Sequence, residues 1–72
     1  MSAQHEFYLA RVAEARAGAN AATLDNIRDR WLRSEATWME LAERSERSDK
    51  MRETLIAEKA SERAALEASA QG

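Results

Sequence analysis

Leu24, Ile27, Trp31, Trp38, Leu41 and Ala42 recur at spacings of three and four, with polar and charged residues between them. At ~100° per residue, five of these (Leu24, Ile27, Trp31, Trp38 and Ala42) fall within about 60° of one another, the apolar stripe of an amphipathic helix. Leu32 and Met39 form a second ridge, about 100° around from the first. A helix with two apolar ridges is expected to meet two neighbours. Upstream, Leu9, Ala13, Ala17 and Asn20 trace one line, widened by Phe7 and Ala10. Tyr8, Val12, Ala15 and Ala19 trace another. A helix with so many small residues can be approached closely from two sides.

Gly18 and Asn20 are the stop signals between these segments, since glycine is common just past a helix end. Thr23 can cap a new helix, with Asp25 in its first turn favoured by the dipole. The alternative is one unbroken helix in which Gly18 costs ~1 kcal/mol. The favoured reading is helix 1 over about 4–19, a turn at about 20–23, and helix 2 over about 24–67. In that hairpin Ala17 faces Ile27, Ala13 faces Trp31, and Phe7 lies near Trp38. Helix 1 then ends opposite 38–41, leaving Ser45 and Ser48, the next positions of the seam, without a partner. Farther on, Met51, Leu55, Ile56 and Leu66 restore apolar character. Helix 2 either runs on as a rod, with a kink near 45–49, or gives way to a third helix capped by Ser48. No Gly or Pro separates the two parts, which favours the rod. The tail 68–72 is expected to fray.

The stretch Ala22-Thr23-Leu24-Asp25-Asn26-Ile27-Arg28, followed by Leu32, Glu35, Trp38 and Leu41-Ala42, resembles a class of short proteobacterial helical proteins. Their pattern reads A-T-D-P-E-x-R-x-x-x-L-x-x-A-x-x-W-x-x-L-A. The resemblance covers about residues 6–46 and implies a helix–turn–helix hairpin, with no activity attached. This chain has Leu24-Asp25 where the pattern has Asp-Pro, so the proline that would open helix 2 is missing.

Composition sharpens the picture. Of 72 residues, 43 are Ala, Glu, Arg, Leu or Lys, as in long helices and coiled coils. Sixteen are alanine, so few large side chains remain to close a core in one copy. Two glycines and no proline leave little turn chemistry for β hairpins, and no cysteine is present for disulfide or thiolate chemistry. The net charge of −2 comes from interspersed acids and bases. Asp29–Arg33, Glu40–Arg44, Glu43–Arg47, Glu46–Lys50 and Arg63–Glu67 sit at i,i+4 spacing, as on a solvated helix face. No apolar run approaches the ~20 residues of a membrane span, and no secretory signal opens the chain. The expected location is cytoplasmic.

Little here points to catalysis. His5 stands alone and reads as an exposed polar residue ahead of helix 1, because position 9 is Leu where a metal motif would need a second histidine. Glu35 lies near Trp31, Trp38 and Met39. It is expected to pair with Arg28, with Arg33 or with an arginine of helix 1. No catalytic, cofactor or metal residues are assigned. An alternative is nucleic-acid contact through Arg28, Arg30 and Arg33, although these spread over about 220° of the helix. The acids that match the bases also argue against a membrane-surface helix.

The sequence therefore predicts an all-α antiparallel hairpin with a long second helix, assembling as a dimeric four-helix bundle. Its role would be non-enzymatic, structural or protein-binding. The predicted intrachain seam is Phe7, Ala13, Ala17, Leu24, Ile27, Trp31 and Trp38. The predicted oligomer or partner interface is Tyr8, Val12, Leu32, Met39, Met51 and Leu55.

Overall fold

A computed structural model describes residues 2–71 as two helices, α1 (Ala3–Ala21) and α2 (Asp25–Gln71), packed together as a hairpin. Helix α1 is ~28 Å long and α2 ~70 Å at 1.5 Å per residue. The molecule measures 72 × 14 × 12 Å, so α2 sets its length.

Ser2 begins α1. Its backbone is extended, and its hydroxyl accepts from the His5 amide at 3.2 Å, as an N-cap should. The same hydroxyl donates to Asp49 Oδ2 at 3.0 Å, tying the start of α1 to the middle of α2. The Asp49 carboxylate is thereby placed beside the positive end of the α1 dipole.

The reversal comes later than the sequence suggested: α1 ends at 21, not 19, and α2 begins at 25, not 24. Gly18 does not end α1: it lies inside the helix, which stops when Ala22 turns extended (φ −68°, ψ 134°). Thr23 is not the cap either. The Leu24 carbonyl accepts the first bond of α2, from the Arg28 amide at 3.0 Å, so the cap position holds a side chain with no acceptor. Arg28 holds the turn instead. Its guanidinium donates to the Ala22 carbonyl at 3.0 Å and to Asp25 at 3.2 Å, satisfying an orphan carbonyl of α1.

Helix α2 is continuous, with neither a third helix nor an interruption at 45–49. Ser48 starts no new helix. The helix also runs through residues 68–71, where fraying was expected, in keeping with the helix propensity of the Ala- and Glu-rich tail. Position 72 lies outside the described residues. Helix α1 reaches Asp49, so 25–49 of α2 is accompanied and 50–71 projects alone, every residue of it exposed.

Candidate interaction surface

The buried line of α1 is His5, Tyr8, Val12, Ala15, Gly18 and Ala19, at alternating spacings of three and four. This is the other line of α1, not the one predicted. Tyr8 and Val12, expected at an oligomer interface, belong to the hairpin seam. Phe7, Ala13, Ala17 and Leu24, expected in the seam, are exposed. Ile27, Trp31 and Trp38 are half-buried in it, as predicted. The physical reason is shape. A Cβ built on Gly18 would overlap the Trp31 indole, lying 2.9 Å from its Cε3 and closer still to Cδ2 and Cε2. Only this face of α1 offers a gap into which the tryptophan fits, and the later turn brings that gap opposite Trp31.

Near the open end, Phe7 stands edge-on to Trp38 with ring centroids 6.0 Å apart, and Tyr8 lies 6.0 Å from the same indole. The predicted neighbourhood of Phe7 and Trp38 is thus present, although Phe7 stays largely exposed, with the Arg11 guanidinium 5.1 Å from its ring centroid.

His5 overturns its expected exposure. It sits in the first turn of α1, 3 % exposed, with Nδ1 3.1 Å from the Ala42 carbonyl oxygen. A carbonyl only accepts, so the proton of this bond is on Nδ1. Ser45, expected beyond the reach of α1, is buried next to this contact because α1 extends farther along α2 than predicted. The signal for His5 was in the sequence: it lies three residues before Tyr8 on the line that becomes the seam.

Glu35 finds its arginine on α1. Arg16 Nε donates to Oε2 at 2.5 Å and Nη2 to Oε1 at 2.7 Å, a two-pronged pair across the helices. The hydrogen bonds from Arg16 hold the Glu35 carboxyl below its ordinary range; desolvation opposes this and the Arg16 charge adds to it. The Arg16 guanidinium is correspondingly held above its usual value by the same hydrogen bonds. A depressed folded-state value means the pair contributes stability above the unfolded carboxylate value, about 4.3. That contribution disappears as pH falls through the lower, folded value. Melting temperatures at pH 7 and pH 3 should therefore fall further for the native chain than for Glu35→Gln. Equal falls would show that the pair contributes nothing.

Large apolar side chains have no comparable shelter. The buried hydrophobic residues are Ala15, Ala19 and Ala42, and no large side chain is fully buried among the described residues. Nine large apolar residues are 38–72 % exposed. Leu32 and Met39 are exposed on one flank of the hairpin, as anticipated, and so are Met51 and Leu55 on the projecting rod. Leu9, Ile56 and Leu66 add to this set.

Two open grooves run along the opposite flank of α2. One, of about 380 Å³, is lined by Ile27, Arg30, Trp31 and Ser34. The other, of about 240 Å³, lies between the helices beside Tyr8, Leu41, Arg44 and Ser48. Neither encloses a set of converging catalytic groups. Among the described residues, no three His, Asp or Glu side chains are gathered as a metal ion would need. No helix there is long and apolar enough to cross a membrane. Of the three arginines in the nucleic-acid alternative, Arg28 is engaged at the turn and Arg30 lines a groove, so the three do not gather on one surface. No protein-family model, curated protein or solved structure matches the chain.

Proposed function

We propose that the protein is a non-enzymatic, self-associating helical module in which two hairpins join as a dimeric four-helix assembly. Its role is to present or connect other surfaces rather than to transform a substrate. One observation carries this reading: the fold buries alanines and leaves five of its six leucines, Ile56, Met39 and Met51 in solvent. Burying each such side chain is worth roughly 1.5–3 kcal/mol, and association is the available way to do it. Exposed apolar surface spread over two flanks and a bare rod also exceeds what an isolated soluble chain normally shows.

Sedimentation equilibrium at micromolar concentration should give twice the 8.1 kDa chain mass. A folded species that stays at 8.1 kDa up to ~100 μM, weaker than about 5 kcal/mol of association, would remove the reading.

A further inference from the structure

We infer that the grooved flank of α2 is the seat of the projecting rod of a second copy, laid antiparallel. The inference rests on the self-association proposed above and adds its geometry.

The flank is one unbroken seam at spacings of three and four. Its first half holds Ile27, Arg30, Ser34, Thr37, Leu41 and Arg44. The seam then passes Ser48 and continues, with no change of spacing, through Met51, Leu55, Glu58, Glu62 and Ala65 on the rod. Its apolar members, Ile27, Leu41, Met51, Leu55 and Ala65, are interspersed with polar and charged ones, so the seam offers both apolar and charged layers to a second helix. The two grooves beside Ile27, Arg30 and Ser34 and beside Leu41, Arg44 and Ser48 lie on the first half. Met51 on the second half can reach the groove beside Leu41, and Glu62 the groove beside Arg30.

Charge sets the direction. The seam is basic in its first half, at Arg30 and Arg44, and acidic in its second, at Glu58 and Glu62. None of these four is in an ion pair among the described residues. A parallel pair would stack Arg30 on Arg30 and Glu62 on Glu62, and like charges at close range repel. An antiparallel pair brings basic half to acidic half. One register pairs Leu41 with Met51 of the second copy, Thr37 with Leu55, Ile27 with Ala65 and Arg30 with Glu62, and sets the remaining charges, Arg44 and Glu58, beside the hydroxyls of Ser48 and Ser34. Sliding the rods by one heptad sets Leu41 against Glu58 in one direction and Arg44 in the other.

Length agrees. Helix α1 accompanies 25–49, and the bare remainder, 50–71, is nearly as long. Two copies turned about a two-fold axis near residue 46 give each bare rod a hairpin to lie on. The assembly is three helices thick toward each end and four at the waist.

Because the chain has no cysteine, pairing can be read by engineered disulfides. Thr37→Cys and Leu55→Cys are made as separate proteins, both at exposed positions of α2. Helicity is checked first, and Ile27→Cys with Ala65→Cys supplies a second pair should either variant lose it. On mild oxidation, the mixture should form the mixed disulfide at least tenfold faster than either protein alone forms its own. In the antiparallel register, two Thr37 positions lie roughly 27 Å apart along the axis. Faster self-linking of each variant would mean parallel chains and overturn the inference. A dimer by sedimentation with no mixed disulfide would overturn it while leaving self-association standing. A monomer by sedimentation would end both.

Discussion

Met51→Lys together with Leu55→Lys should convert the proposed dimer to a monomer while leaving the helices intact. Both side chains are more than half exposed in the single chain, so neither change opens a cavity or strains the hairpin. Lysine is also a good helix former. In the dimer, each substitution acts twice, once per copy, and removes apolar burial worth roughly 1.5–3 kcal/mol per side chain. It also places four new positive charges against the flank that carries Arg30 and Arg44. An association weakened by at least a hundredfold, about 2.8 kcal/mol, is the conservative expectation. Sedimentation of native and substituted chains at matched concentration reads it. A dissociation constant within threefold of the native value would show that the rod takes no part in association.

Gly18→Val is expected to have the largest effect on the hairpin itself. At an ordinary interior helix position, replacing glycine raises stability, by up to ~1 kcal/mol for alanine. Here the new Cβ falls within the Trp31 indole, and the branched side chain cannot rotate out of the seam. Overpacking typically costs 1–3 kcal/mol, so a net loss of about 2 kcal/mol is expected. In a domain this small that amounts to roughly 10 °C in melting temperature. Trp31 should report the change by a shift of its fluorescence toward that of solvated indole. Ala17→Val, one position away but exposed, is the control and should change stability by no more than about 0.5 kcal/mol. Because the proposed association would contribute to the measured midpoint, all melts belong at one protein concentration. If both variants melt with the native chain, the fit between Gly18 and Trp31 does not hold the helices together.

The parts of this fold legible in the sequence were those that depend on one helix at a time. Ile27, Trp31 and Trp38 announced the inner face of α2 because large residues at 3-4 spacing have one way to be buried. The absence of Gly and Pro between residues 19 and 71 foretold the long rod. The exposure of Leu32, Met39, Met51 and Leu55 followed from counting ridges against neighbours. An arginine of helix 1 was among the partners foreseen for Glu35, and it is Arg16.

What could not be read was which face of α1 turns inward. Both of its lines are built from small residues, so apolar content does not choose between them. The choice rests on a fit through space, a glycine gap opposite an indole, and on a turn placed later than the local signals suggest. Gly18 was read as punctuation because glycine does end helices, yet here it is a recess. His5 was set aside for its solitary position, although its spacing to Tyr8 and Val12 already placed it on the buried line. A polar residue on a line of alanines calls for an acceptor, and a helix carbonyl across the seam supplies one.

The unaccompanied stretch from 50 to 71 has a thermodynamic consequence. A lone helix of that length has no tertiary packing to support it, so its order rests on local propensity alone. Under the association proposed above, the stability of this end would rise with chain concentration, while that of the accompanied half, 25–49, would change less.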